Sequence, residues 1–211
     1  MTAAARSRAT ARPPVTRERI GEVALRILDE AEDESALTMR TLAAELGVKA
    51  PSLYAHVDGI HDVLGLVHGR INGLIDLSTV DHPDPHEGLR RFAHSYRRAY
   101  GQHRVAAAII VTRSVNADHA LVVYEAAAAC LSRAGVPLGA VMPCLAMLDY
   151  IALGSAVEPF AAGFAEPTRS YRASYPVLAE ALARSQRRHL DDEGFEIGLE
   201  AFIDVVRAAA A

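Results

Sequence analysis

Apolar residues recur at helical spacing along most of the chain, and nowhere do they alternate as a half-buried strand requires. Ile20, Val23, Ala24, Ile27, Leu28 and Ala31 mark one face of a first amphipathic helix, which begins at Thr16 and closes in the acidic stretch from Glu30 to Glu34. Two short helices follow. Thr38 predicts an N-cap, Met39, Leu42, Ala43 and Leu46 form an apolar face, and Gly47 is the expected terminating residue. Only Val48 and Lys49 separate that glycine from the next helix, where Pro51 is tolerated because the first turn needs no amide donor. Leu53 and Val57 anchor this helix over residues 50–57, and Asp58-Gly59 ends it. A longer fourth helix carries Val63, Leu64, Val67, Ile71, Leu74 and Ile75 on its apolar side.

The stretch from His82 to His86, with Pro83 and Pro85, is the clearest break, since proline disrupts a helix interior. Beyond it Leu89, Phe92, Ala93, Tyr96 and Tyr100 mark another helix. Leu121 to Leu131 and Val141 to Phe160 mark two that are apolar nearly all round. Val177 to Leu182 and Phe195 to Val206 mark two more. The fold class is all-α: an N-terminal three-helix helix-turn-helix domain for DNA binding, and a C-terminal helical domain for ligand binding and dimerisation. The boundaries are a disordered basic arm at 1–14, the DNA-binding domain at 15–74 with its helix-turn-helix at 38–57, and the second domain at 75–211.

Composition changes this picture in three places. The 211 residues are 51% hydrophobic, enough for a sizeable core. No apolar run approaches the roughly 18 uncharged residues of a membrane span, and no apolar segment follows the N-terminal arginines, so neither a membrane anchor nor a secretory signal is expected. Cys130 and Cys144 read as buried small hydrophobes in a reducing cytoplasm. The net charge is −4, but its distribution is lopsided: residues 1–20 carry Arg6, Arg8, Arg12, Arg17 and Arg19 against Glu18 alone. A basic tip on an acidic body suits a protein that docks DNA by one end. Lys49, the only lysine, lies inside the helix-turn-helix.

In that motif the second helix lies in the major groove with its N-terminal residues toward the base edges. Small or polar residues stand where such a surface would be. Ser52 and Tyr54 can donate to phosphate oxygens, Arg40 can reach the backbone from the preceding helix, and Ala50 can touch a thymine methyl. With Thr38, Lys49, Pro51 and His56 they form the candidate DNA-binding set. The density of the pattern is specific: a Thr38-x-Arg40-x-Leu42-Ala43 start, a Leu46-Gly47-Val48 turn and a Leu53-Tyr54-x-His56 end. The stretch from about Thr16 to Leu74 resembles the N-terminal domain of the TetR family of transcriptional regulators. The C-terminal half is similar, more loosely, to the family's tetracycline-repressor type: Thr112-Arg113, Leu153-Gly154 followed by Glu158, and the run Phe195 to Glu200 stand in comparable order. The resemblance implies a dimer that binds a small ligand within its helical core.

Two departures qualify what the resemblance carries over. Ile60 opens the fourth helix where the family usually has a phosphate-gripping lysine or arginine. Ile109 aligns with the histidine that chelates a drug-bound metal in the tetracycline-repressor type, so neither tetracycline nor magnesium is transferred. Phe92, Tyr96, Tyr124 and Tyr150 are the candidate lining of a ligand cavity, with Asp76, Thr112, Arg113 and Glu158 as its polar groups.

His82, Asp84 and His86 read as a solvated linker, and His61 and His68 as surface histidines, so no metal site is expected. No phosphate loop, nucleophile elbow or paired carboxylates stand out, so neither catalytic residues nor cofactors are expected. Gly65, Gly69 and Gly73 recur along one face of the fourth helix and suggest a close-packed or soft ridge. The expected partners are a double-stranded palindromic operator, a small, largely hydrophobic ligand, and a second copy of the chain, joined through helices near 141–160 and 195–207. The leading function is a repressor relieved by its ligand. A transcriptional activator of the same fold, or an all-α small-molecule-binding protein or enzyme with a vestigial DNA-binding domain, remains open at this stage.

Overall fold

The computed structural model describes residues 14–31, 33–111, 118–157, 160–185 and 189–210. No strand occurs among the described residues, and the fold is all-α. Most of the arm expected at 1–14 lies outside them.

Helix α1 (Arg17–Asp29) starts where Thr16 accepts a hydrogen bond from the Arg19 amide and buries Ile20, Val23, Ala24 and Leu28. Helix α2 (Met39–Leu46) opens with reciprocal caps. Thr38 Oγ1 accepts from the Thr41 amide at 3.1 Å, and Thr41 Oγ1 accepts from the Thr38 amide at 2.9 Å. It ends at Gly47, whose φ of 66° is left-handed and disfavours any side chain. Helix α3 (Ala50–Leu53) is shorter than the span expected over 50–57. Tyr54 caps it, and the amides of His56 and Val57 both turn back to the Leu53 carbonyl.

Helix α4 (Ile60–Asn72) follows Gly59, another positive-φ glycine at 152°. The sequence pattern extends it to Ile75. Instead it stops at Asn72, where the Gly73 amide bonds the Gly69 carbonyl and the chain turns into a short 3-10 segment, Leu77–Asp81. The glycine ridge is not uniform. A methyl group at Gly69 would stand 2.7 Å from His119 Cδ2, whereas one at Gly65 meets nothing within 4 Å. Gly65→Ala is therefore expected to raise stability by about 1 kcal/mol, a gain of about 2–4 °C in Tm for a protein of this size. Gly69→Ala must first displace His119 and gains nothing comparable.

The second layer comprises α5 (Pro85–Gly101), α6 (Arg104–Ile110), α7 (Asp118–Arg133), α8 (Leu138–Val157), α9 (Pro176–Arg184) and α10 (Leu190–Ala209). The sequence pattern does not mark α6. The expected helix over 141–160 begins at Leu138 and ends at Val157, and Phe160 belongs to a separate short 3-10 turn. Pro85 sits in the first turn of α5 and Asp84 caps it through the His86 amide, so the His82–His86 segment is a helix entry. Cys130 and Cys144 are free and buried.

Helix α8 bears on the expectation that no membrane anchor is present. Its 20 residues are long and apolar enough, by length and composition, to cross a membrane. Yet α8 carries Asp149 at mid-length and packs against α5, α7 and α10 as the central helix of the second layer. Leu148 and Ala152 are buried there with Phe202 and Ile203 of α10. The outer side of α8 and α10 is uncovered in the single chain: Leu138, Met142, Tyr150 and Ile197 are all more than two-thirds exposed.

Candidate nucleic-acid interface and ligand cavity

The burial of the helix-turn-helix is one-sided. Leu42, Leu46, Leu53 and Val57 are sealed in the core, while Thr38, Arg40, Lys49, Pro51, Ser52 and Tyr54 are exposed. Ala50 and His56 are partly buried. All eight candidate DNA-binding residues thus lie on α2, α3 and the turns that flank them. Tyr54 is 57% exposed for a large aromatic residue, although its neighbour Leu53 is fully buried. Ile60 packs against the core instead of reaching outward.

A clamp that the sequence pattern does not reveal holds this face. Arg17 Nη1 donates to the His56 carbonyl at 2.6 Å, and the guanidinium grips Asp62 with both nitrogens, at 2.8 and 2.6 Å. The start of α1, the turn after α3 and the first turn of α4 are thereby tied together. Hydrogen bonding from Arg17 holds the Asp62 carboxyl below its ordinary pKa range. A single exposed ion pair contributes about 0–1 kcal/mol, so the clamp's importance is geometric.

At the opposite end of α4 lies a small cavity of about 60 Å³, lined by residues that include His68, Asn72, Tyr96, Tyr100, Tyr124, Asp149 and Leu153. Asp149 Oδ1 accepts from Tyr96 at 2.6 Å and Oδ2 from Tyr124 at 3.2 Å. Tyr100 donates to Asn72 Oδ1 at 2.8 Å, and His68 Nε2 is 3.1 Å from the same hydroxyl. Because that hydroxyl's one proton goes to Asn72, the imidazole acts as the donor to it. Burial lifts the Asp149 carboxyl above its ordinary range, against the pull of the two tyrosine bonds. Burial also pushes the Tyr124 phenol up to about 12 and, with the charge of His119, keeps the His68 imidazole below its usual value. Asn72 is 5% exposed, and its Nδ2 is a buried donor with no partner among the described residues.

Of the ligand-binding candidates, Tyr96 and Tyr124 line this cavity. Phe92 does not: it is 1% exposed and stacks at a tilt 5.8 Å from Tyr96 as core. Asp76 is exposed, caps the 3-10 segment by accepting from the Ser78 amide at 3.0 Å, and lines a separate surface groove with Arg91 and Arg98. Tyr150 is 77% exposed, on the rim of an outer groove of about 620 Å³ between α7 and α8. Thr112, Arg113 and Glu158 lie outside the described residues. Sequence reasoning missed His68, Asn72, Tyr100 and Asp149. A signal existed for the last: a lone carboxylate amid twenty otherwise uncharged helix residues is rarely idle.

A helix-turn-helix on an all-α body defines the class of a helical DNA-binding regulator. The tetracyclin repressor-like C-terminal domain family matches residues 82–209. An HTH-type transcriptional regulator of Saccharopolyspora erythraea is 29% identical over 187 residues, covering 80% of this chain and 75% of that one. The tetracycline repressor protein class E of Escherichia coli is 29% identical over 185 residues, 86% and 85% of the two chains. Among solved structures, ActR from Streptomyces coelicolor in complex with actinorhodin superposes with a TM-score of 0.78 at 28% identity, covering 94% of this chain and 98% of that one. The chain belongs to the TetR family of transcriptional regulators.

Proposed function

We propose that this protein is a homodimeric repressor that leaves its operator when a small molecule enters the second domain. The observation that carries this reading is the exposed row of Lys49, Ser52 and Tyr54 on a helix seated by the buried Leu53. Such a row suits phosphate and base-edge contacts and has no role in the chain's own core. The uncovered apolar faces of α8 and α10 support pairing with a second copy, which would set two α3 helices in successive major grooves about 34 Å apart on a palindrome.

Helix α4 is the transmitter. Its C-terminal half carries His68 and Asn72 at the cavity, and its first turn carries Asp62 in the clamp on Arg17 and the His56 carbonyl. A ligand that shifts α4 thus moves α3 through named contacts. A tenfold fall in operator affinity requires about 1.4 kcal/mol of differential binding between the two states. Drug-sized ligands fill pockets of about 300–1,000 Å³, so the 60 Å³ cavity is a closed state that must widen toward the outer groove. ActR bound to actinorhodin supports ligand control in a relative of the same fold.

A mobility-shift titration on the chain's own upstream DNA at 50 and 200 mM salt tests this reading. Specific binding that weakens about 10³-fold or more, as for a protein with six or more phosphate contacts, is expected. Binding of equal strength to unrelated DNA would count against it.

A further inference from the structure

The inner cavity and the outer α7–α8 groove share two wall residues, Tyr124 and Asp149. Around that shared wall the chemistry has one sign. The charged residues lining the groove are Glu125 and Asp149, and no lysine or arginine among the described residues lines either space. Burial lowers the pKa of His68, the one basic residue lining the cavity. Asp149 is half-buried, and among the described residues it accepts hydrogen bonds from two neutral phenols, Tyr96 and Tyr124. A carboxylate taken out of water without a cation is costly, and a ligand cation would offset that cost. Tyr96 and Tyr100 stand edge to face with centroids 5.2 Å apart, and both line the cavity together with Tyr124 and Asp149. Aromatic faces around a carboxylate are the chemistry that recognises ammonium groups.

We propose that the ligand is an amphipathic organic cation, its amine head held by Asp149 among Tyr96, Tyr100 and Tyr124, its apolar body along Leu121, Met142 and Leu145 in the groove. The proposal rests on the ligand-controlled reading above and names its ligand class. An anionic ligand is disfavoured by both carboxylates. A neutral one leaves Asp149 without a counter-charge.

The test is calorimetric titration of the full chain at pH 8 with two matched pairs: 9-aminoacridine against acridine, and phenethylamine against 2-phenylethanol. Each pair holds the shape nearly constant and changes the charge. The amine of each pair is expected to bind at least tenfold more tightly than its uncharged partner. Asp149→Asn, which keeps an oxygen to accept a tyrosine bond, is expected to cut that preference to threefold or less. Its fold should survive with a Tm a few degrees higher, since burial disfavours the ionised carboxylate. Glu125→Gln, on the exposed groove wall, is expected to weaken amine binding two- to fivefold and serves as a second variant.

Equal binding of amine and neutral partner, a preference that survives Asp149→Asn, or failure of both amines to bind overturns the proposal. Operator binding by the ligand-free protein is measured on the same preparation. Loss of that binding would overturn the regulator reading instead, so the two failures are distinguishable.

Discussion

Tyr54→Ala is expected to weaken operator binding ten- to a hundredfold, about 1.4 to 2.8 kcal/mol at 1.4 kcal/mol per decade. The reason lies in the split between neighbours on one short helix. Leu53 is fully buried and seats α3 on the side packed against α2, whereas Tyr54 caps α3 with more than half its surface in solvent. Truncation therefore removes a hydroxyl and a ring from the exposed side of α3 without opening a cavity behind it. Far-UV circular dichroism and the thermal midpoint should stay at wild-type values. If Tyr54 meets a phosphate, its loss weakens binding across all sequences alike; a contact to a base edge instead relaxes specificity at one position. An alanine variant that binds as tightly as wild type would remove α3 from the interface.

Ile197→Glu is expected to convert the proposed dimer to monomers and lower operator affinity at least a hundredfold. Ile197 is 73% exposed on α10, and Leu138 is 83% exposed on α8, the helix that packs against it. In the single chain the new carboxylate stays in water, so the fold tolerates it. In a dimer it lies in an apolar seam with no cation, which costs several kcal/mol. Two half-site contacts that no longer share one body lose the gain of linkage, which commonly amounts to 10² or more in affinity. Sedimentation equilibrium reads the mass and a mobility shift reads the affinity. A variant that remains dimeric would place the pairing surface elsewhere.

The helix-turn-helix was the most legible part of the chain because its geometry depends on local chemistry. Thr38 caps, Gly47 turns left-handed, Pro51 starts a helix, and each does so from its own backbone constraints. Boundaries set by tertiary contacts were harder to read. Leu74 and Ile75 continue the apolar rhythm of α4, yet the turn at Gly73 sends the chain into the 3-10 segment, exposing Leu74 and burying Ile75. Helix α6 is only seven residues long, too short for an apolar period to declare itself.

The cavity was legible only in part. Aromatic residues on an apolar helix face look alike whether they fill a core, as Phe92 does, or line a space, as Tyr96 does. Which of them meets Asp149 depends on how α5, α7 and α8 cross, and no sequence spacing encodes that. The clamp from Arg17 to Asp62 spans 45 residues and was invisible for the same reason.

The central claim is that two copies of α3 enter the DNA together at a fixed separation. Hydroxyl-radical footprinting on the upstream palindrome measures this directly. Two protected patches centred about one helical turn apart, some 34 Å, are predicted, with both fading when the inducing ligand is added. A single protected patch, or two whose spacing varies from molecule to molecule, would contradict it.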